Sequence, residues 1–285
     1  MREATSPQGT DVHFDAPTPT GGREPYSVQC DPGSSTVFAV GETAVKCTAT
    51  DADMAQASCG FGVTVRVSQT IEVTKFMAFG DSITEGKIRL VPLISLATPE
   101  TYPYKLEQML LQRYPTQPIV VINRGLSGER TDRGAKRLPG LLDADKPQVV
   151  LLLEGVNAVR VLPTSTQVSA IRSMIDAARR RDIDVIIATV MPVSPEYEAD
   201  HVGMMSRIRA LNAEIVDVAD EFDIEPAVDL FALFEANPHL LGADGLHPTA
   251  EGQTRIAEAF RDEIVRRYDT KSTTSLGFST MRRAR

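Results

Sequence analysis

The sequence predicts an α/β fold, a doubly wound parallel sheet, preceded by a small all-β immunoglobulin-like sandwich. Two observations indicate this. Residues 1–70 contain apolar runs with a period of two, separated by turn-forming residues, and no window with helical periodicity. From Lys75 onward, short and nearly continuous apolar runs alternate with amphipathic helical segments, as in a parallel sheet covered on both faces. We therefore expect domains at residues 1–70 and 75–268 and a disordered tail at 269–285.

The alternation in the first domain involves a small set of apolar residues, which are Val12 and Phe14, and then Phe61, Val63, Val65 and Val67. Glycines and prolines fill the segments between these runs and favour turns. Short alternating strands joined by turns are typical of a small antiparallel sandwich.

The second domain has five apolar segments that we expect to be strands, namely KFMAFG, PIVVIN, QVVLLLE, DVIIATVM and PAVDLFAL. Amphipathic segments follow each of them, and the last is AEGQTRIAEAFRDEIVRRY. In this final helix Ile256, Phe260 and Ile264 recur at every fourth position, and Thr249 is placed to cap it. In doubly wound sheets ligands bind beyond the carboxyl ends of the strands.

The composition is that of a globular protein with an acidic balance. The chain has 285 residues, of which 42% are apolar, and a formal net charge of -8. This charge argues against nucleic acid or an anionic membrane as the main partner. No apolar stretch is long enough to cross a bilayer, and the amino terminus lacks the pattern of a signal peptide.

All three cysteines, Cys30, Cys47 and Cys59, lie in the first domain. Clustering in one small segment indicates disulfide chemistry and an oxidising compartment, with one thiol left without a partner in this chain. A zinc site would need a fourth ligand and closer spacing, so we expect no metal there.

The first strand of the second domain ends in the stretch GDSITEG, where Gly80, Asp81 and Ser82 interrupt the apolar run. Aspartate and serine are common helix caps, and a turn between a strand and a helix often contains glycine. A phosphate-binding loop would need a lysine that is absent here. A nucleophilic serine at this strand end is the functional alternative.

A second stretch, GADGLHPTAEG, strengthens that alternative. His247 precedes a proline, which favours an extended loop, and Asp244 lies three residues earlier. At this spacing a carboxylate can bind one ring nitrogen while the other faces a nucleophile. The structural alternative is a surface Asp-Gly turn with an incidental histidine.

Two further strand ends carry small polar residues, which are Asn123, Gly125, Ser127 and Gly128 after the second strand, and Gly155 and Asn157 after the third. Attack on an ester carbonyl requires hydrogen-bond donors aimed at the developing oxyanion, and backbone N–H groups of glycine turns and a side-chain amide can supply them. Four strand-end motifs at one edge could thus provide a nucleophile, a base with its carboxylate partner, and oxyanion donors.

The four stretches GDSITEG, NRGLSGERT, GVNA and DGLHP resemble, in order and spacing, the blocks of the SGNH (GDSL-type) hydrolases. The resemblance covers about residues 75–268 and implies a flavodoxin-like doubly wound fold and no cofactor or metal. It implies the following roles: Ser82 as nucleophile, His247 as general base, Asp244 as its carboxylate partner, and Ser82, Gly128 and Asn157 as oxyanion donors.

Two positions within these blocks leave questions open. Gly125 is an alternative to Gly128 as the glycine donor, because the second block offers both. The third block of the family usually ends in G-x-N-D, whereas Ala158 stands here in place of the acid. The asparagine that the chemistry requires is present, so activity remains the expectation.

Residues 2–67 resemble a hyalin-repeat (HYR) module, an extracellular immunoglobulin-like sandwich, in the stretches REATSPQGTDVHFDAPTPT, CDPGSSTVFAVGETAVKCTATD and SCGFGVTVRV. The resemblance implies secretion and an adhesive or spacer role without chemistry. In that module Cys59 would pair with an upstream cysteine that this chain lacks. Together with the stretch between Cys30 and Cys47, which can return as a hairpin, this predicts a Cys30–Cys47 bridge and a free thiol at Cys59.

These observations favour a secreted serine esterase that acts on short-chain esters, including acetyl groups on carbohydrates. The partners expected are a small ester or acylated carbohydrate and, for the first domain, a surface or polymer. A non-catalytic binding protein on the same scaffold is the alternative. A phosphoesterase is a third candidate, but the sequence lacks the clustered Asp and His ligands that a two-metal site requires. Residues 87–101 form the one insertion that could overhang the site.

Overall fold

The computed structural model describes residues 1–6, 8–66, 69–88, 94–95, 98–224 and 226–270. The chain divides into two compact units. The first unit comprises Met1–Ile71, Arg113–Gln117 and, of the described carboxyl-terminal residues, Asp269–Thr270, and the second comprises Glu72–Gln112 and Pro118–Tyr268.

The strands in the described residues are β1 (Arg2–Glu3), β2 (Thr10–Val12), β3 (Ser27–Asp31), β4 (Thr36–Phe38), β5 (Gly41–Thr50), β6 (Gln56–Arg66), β7 (Thr70–Ile71), β8 (Lys75–Gly80), β9 (Lys87–Ile88), β10 (Ile94–Ser95), β11 (Val120–Gly125), β12 (Val149–Leu153), β13 (Asp184–Ile187) and β14 (Asp269–Thr270). The α-helices are α1 (Ser82–Glu85), α2 (Tyr102–Arg113), α3 (Thr131–Asp145), α4 (Thr164–Arg179), α5 (Pro195–Asp200), α6 (Met204–Glu221), α7 (Leu230–Glu235) and α8 (Ala250–Tyr268). Short 3₁₀ helices span Thr98–Glu100 and Pro238–Leu240.

The first unit is built from β-strands. Its main sheet has the order β1-β6-β5-β3, and β2 pairs with β4 in a second, two-stranded sheet. The β1–β6 pair is parallel, which differs from the purely antiparallel arrangement expected from the sequence. Its core includes Val12, Phe38, Val45 and Val65, whereas Phe61 on β6 stays exposed.

The cysteines of the first unit lie in one row across the sheet. Cys30 on β3 is opposite Cys47 on β5, which in turn is opposite Cys59 on β6. Cys30 and Cys47 form a disulfide and Cys59 is free and exposed, as predicted.

The second unit contains a four-stranded sheet in the order β11-β8-β12-β13, and all its pairs are parallel. The first strand of this sheet, β8, is an interior strand. The next strand, β11, is at one edge, and β12 and β13 follow on the other side of β8, which is the flavodoxin-like order. Helix α4 packs against both α3 and α6, whereas α2 packs against α8 through the stacked rings of Tyr102 and Phe260. The α/β prediction is confirmed.

One predicted strand is wrong. The segment PAVDLFAL contributes a single parallel bridge between Val228 and Ala188 and then forms α7. Asp229 caps this helix through the N–H of Ala232, so the helix begins in the middle of the apolar run. The final helix is confirmed, and the hydroxyl oxygen of Thr249 accepts a hydrogen bond from the N–H of Gly252 at its first turn.

Part of the predicted tail is ordered, because Asp269–Thr270 form β14, which pairs with β7. Residues 271–285, Val67, and the 89–93 and 96–97 parts of the predicted overhanging insertion lie outside the described residues. None of the helices in the described ranges has the length and apolarity needed to cross a bilayer.

Candidate active site

Ser82 lies at the junction of β8 and α1, just beyond the carboxyl end of an interior strand of the sheet. The carboxylate of Asp81 caps α1 by accepting a hydrogen bond from the N–H of Ile83 at 2.9 Å, so the capping interpretation holds for the aspartate. Ser82 is the first residue of the helix and does not act as its cap. Its hydroxyl is therefore available for other contacts.

Glycines allow α1 to approach the neighbouring strands. A Cβ atom at Gly125 would lie 2.0 Å from the backbone nitrogen of Glu85, and one at Gly80 would lie 2.2 Å from the carbonyl oxygen of Leu153. Any larger residue at either position would push the helix that carries Ser82 away from the sheet.

The loop before α8 brings Asp244 and His247 to this junction. The Oγ of Ser82 lies 2.8 Å from Nε2 of His247, and Nδ1 of His247 lies 2.6 Å from Oδ2 of Asp244. The other carboxylate oxygen of Asp244 accepts hydrogen bonds from the N–H groups of Leu246 at 3.0 Å and His247 at 2.9 Å. These backbone bonds fix the orientation of the carboxylate.

The ionisation of Asp244 determines which ring nitrogen of His247 carries a hydrogen. Burial acts to raise the pKa of Asp244, but hydrogen bonds from the His247 ring and from the two backbone N–H groups outweigh it and hold the pKa below its ordinary value. An ionised carboxylate can only accept, so Nδ1 of His247 carries a hydrogen, and in the neutral ring the lone pair is then on Nε2. The ring is thus arranged to accept the proton of Ser82.

The loop after β11 supplies backbone donors. In the described residues the N–H of Gly128 has no acceptor, and the same is true of the N–H of Ser82. The N–H of Gly125, by contrast, donates to the side chain of Asn123 at 2.9 Å. Of the two glycines considered, only Gly128 therefore offers a free donor.

Asn157 reaches the same region from the loop after β12. Its Nδ2 group donates to Oδ2 of Asp81 at 3.2 Å and to the carbonyl oxygen of Glu129 at 3.0 Å. The side-chain amide is thus held between the residue before Ser82 and the residue after Gly128. Ala158, which follows it, is fully buried.

Sequence reasoning missed a cluster of buried acidic side chains next to these donors. Asp81, Glu129 and Glu154 are all buried, and Arg137 forms a bidentate ion pair with Glu129. Burial raises the pKa of Asp81 to about 6. The available signal was an acid directly after two of the four strands of the parallel sheet, since Asp81 follows β8 and Glu154 follows β12.

The last helix, α8, forms hydrogen bonds that hold α1, the helix that carries Ser82, in place. Gln253 on α8 donates from Nε2 to the carbonyl oxygen of Ile83 at 3.0 Å and accepts from the N–H of Tyr102 at 2.7 Å. Tyr102 also contacts the hydroxyl of Thr84 and stacks on Phe260. One buried glutamine therefore links α1, α2 and α8.

A parallel α/β sheet with a connected serine, histidine and aspartate beyond its strand ends is an arrangement of serine hydrolases. Residues 78–255 match the GDSL-like Lipase/Acylhydrolase family, and the chain belongs to that family. It is accordingly a carboxylic ester hydrolase. The match does not include residues 1–71, so the HYR-like, immunoglobulin-like character of this segment stays a prediction.

Similar proteins agree with this assignment. An arylesterase of Vibrio mimicus is 29% identical over 194 residues, covering 67% of this chain and 88% of the relative. A lipase/acylhydrolase from Enterococcus faecalis has a TM-score of 0.59 at 24% identity, covering 68% of this chain and 97% of that one. A carbohydrate acetylesterase family member from Sinorhizobium meliloti has a TM-score of 0.57 at 20% identity, with 68% and 98% covered. These structures share the fold of the second unit.

Proposed function

We propose that this protein is a secreted serine esterase that hydrolyses short-chain carboxylic esters, including O-acetyl groups of carbohydrates. Ser82 is the nucleophile, His247 the general base and Asp244 the group that orients it. The observation that carries this proposal is the hydrogen-bonded chain from Oγ of Ser82 through the His247 ring to Asp244, at 2.8 and 2.6 Å.

The reaction follows from the direction of these hydrogen bonds. Oγ of Ser82 attacks the ester carbonyl carbon while its proton passes to Nε2 of His247, and the resulting imidazolium is stabilised by Asp244. Collapse of the tetrahedral intermediate breaks the bond to the alcohol, which takes the proton from Nε2. Water then attacks the acyl-enzyme by the same route, and the carboxylic acid and free Ser82 are released.

The negative charge of the tetrahedral intermediate requires donors. The free N–H groups of Ser82 and Gly128 support an oxyanion hole at this position, and the amide of Asn157 is held beside them by Asp81 and Glu129. Such donors contribute to the rate because they bind the transition state more strongly than the substrate.

The substrate class and the location are proposed from similar proteins and from one disulfide. The arylesterase similarity supports an ester substrate, and the acetylesterase similarity concerns the fold alone. The Cys30–Cys47 disulfide supports an oxidising, extracellular location. For the first unit we propose binding to a surface or polymer, supported by a cleft of about 360 Å³ whose lining includes Tyr26, Val28 and Ala49.

Replacement of Ser82 tests the mechanism. In Ser82→Ala, hydrolysis of p-nitrophenyl acetate should fall by about 10⁴ or more while the circular dichroism spectrum is unchanged. A fluorophosphonate should label Ser82 of the wild-type protein. Ser206→Ala, which changes an exposed serine of α6, is the control and should keep full activity and labelling. Near-normal turnover by folded Ser82→Ala would overturn the mechanism.

A further inference from the structure

Glu154 is a buried acid for which the reaction described above has no use. It directly follows β12 and lies three residues before Asn157. Its side chain is only 3% exposed, and within the described residues neither carboxylate oxygen has a hydrogen-bond partner. An ionised carboxylate without donors in such a place is strongly disfavoured, whereas the neutral acid is tolerated at much lower cost.

The groups that face Glu154 do not compensate its charge. Asp81 at the end of β8 and Glu129 before α3 are acids that act against its ionisation, while Arg137 on α3 and the backbone N–H of Gly155 act in the opposite direction and do not outweigh burial and the two acids. The guanidinium of Arg137 is already occupied, because its Nε donates to the two oxygens of Glu129 at 2.8 and 3.0 Å. Burial and these acids raise the pKa of Glu154 well above its ordinary value.

The packing of α3 keeps water from the carboxyl group. A Cβ atom at Gly134 would lie 3.4 Å from Oε1 of Glu154 and 3.3 Å from the ring of Phe79, so the absence of a side chain there lets the helix close over both. Arg137 lies on the same helix and stacks on Phe79 at 4.3 Å. The acid is enclosed by the strand that leads to Ser82 and the helix that follows the Gly128 loop.

We propose that Glu154 is a positioning residue that must stay a neutral carboxylic acid for the oxyanion donors to work. While Glu154 is neutral, Arg137 keeps its ion pair with the side chain of Glu129. This ion pair fixes the loop in which the carbonyl oxygen of Glu129 accepts from the amide of Asn157, and in which Gly128 directly precedes Glu129. Ionisation places a second negative charge beside Asp81 and draws Arg137 from Glu129 toward Glu154, which loosens the loop. It also opposes the negative charge of the transition state.

This inference rests on the proposed function and predicts a specific pH profile. The loss of activity on the alkaline side should appear in kcat with little change in KM, because the donors contribute mainly in the transition state. Glu154→Gln keeps the shape and the neutral state but removes the ionisable proton. It should stay within about threefold of the wild-type kcat at neutral pH and should lack the alkaline loss.

The test is a measurement of kcat and KM by pH-stat titration of ester hydrolysis from about pH 6 to about pH 10 for the wild type, Glu154→Gln and Glu263→Gln. Glu263 is a buried acid of α8 that is paired with arginines, and its variant should keep the wild-type alkaline profile. An alkaline profile that is the same in the wild type and Glu154→Gln, or a wild type without any alkaline loss, overturns the proposal.

A second measurement is independent of turnover. Infrared difference spectra of Ser82→Ala between neutral and alkaline pH should show the carbonyl band of a protonated carboxylic acid that disappears as the pH rises, and the Ser82→Ala/Glu154→Gln protein should lack it. Absence of the band overturns the inference about Glu154 alone. Retained hydrolysis in Ser82→Ala would instead overturn the proposed function, so the two failures are distinguishable.

Discussion

Replacement of Asp244 by asparagine gives the sharpest test of how the site is oriented. One oxygen of Asp244 accepts two backbone N–H groups, from Leu246 and His247, while the other accepts from Nδ1 of His247. The backbone donors require an acceptor, so in Asp244→Asn the amide oxygen of the new side chain must take that position. The NH₂ group is then forced to face Nδ1.

This orientation changes the tautomer of the histidine. An NH₂ group can only donate, so Nδ1 of His247 must become an acceptor and the ring hydrogen moves to Nε2. Nε2 then donates to Oγ of Ser82 and cannot take the serine proton. We expect kcat of Asp244→Asn to fall by about 10⁴, equivalent to about 5 kcal/mol of transition-state stabilisation, with KM nearly unchanged.

The assay is the steady-state hydrolysis of p-nitrophenyl acetate by the purified full chain, with thermal unfolding to show that the variant is folded. Asp143→Asn, which removes a surface ion pair with Arg181, is the matched control and should keep the wild-type kcat. If folded Asp244→Asn retains more than about a tenth of the wild-type kcat, Asp244 does not set the tautomer.

Three other predictions follow from the site. Asn157→Ala should lower kcat by about 10²–10³ with little effect on KM in the same assay, and an equal rise in KM would contradict its role. Gly125→Ala should unfold at a clearly lower temperature than Gly128→Ala, since its Cβ meets the backbone of Glu85 while Gly128 has only the strain of a φ of 72°. Burial raises the pKa of Asp81 to about 6, so folding favours its protonated form, and the stability it contributes is present below about pH 4 and lost as the pH rises through about 6. In urea unfolding, the free energy of unfolding of the wild type minus that of Asp81→Asn should therefore fall by about 3 kcal/mol between about pH 4 and about pH 7, and an unchanged difference would contradict the burial effect.

The sequence was sufficient to predict the parallel sheet because apolar runs such as VVLLL are continuous only when both faces of a sheet are covered. It also predicted which strand ends meet, because the carboxyl ends of parallel strands lie at one edge. The contacts of Ser82, Asp244 and His247 are local consequences of two short loops and could therefore be anticipated.

The role of Glu154 could not be predicted in this way. An acid at the end of an apolar run normally marks the point where a strand reaches solvent. Here α3 covers it because Gly134 has no side chain, and that contact joins residues far apart in the chain through tertiary packing. The wrong prediction of PAVDLFAL as a strand has a different, local cause: the cap provided by Asp229 competes with an apolar pattern that fits either structure.

The state of Asn157 without substrate explains why its contribution should fall on kcat. An amide NH₂ group has two hydrogens, and here Asp81 and the carbonyl oxygen of Glu129 engage both of them. A neutral ester carbonyl competes poorly with these acceptors, so the substrate gains little from Asn157 when it binds. The oxyanion that forms during attack is a much stronger acceptor and can take a hydrogen from the Glu129 carbonyl while Asp81 keeps the amide in place. The interaction therefore strengthens as the charge develops, which is the condition for a group that lowers the barrier instead of only improving binding.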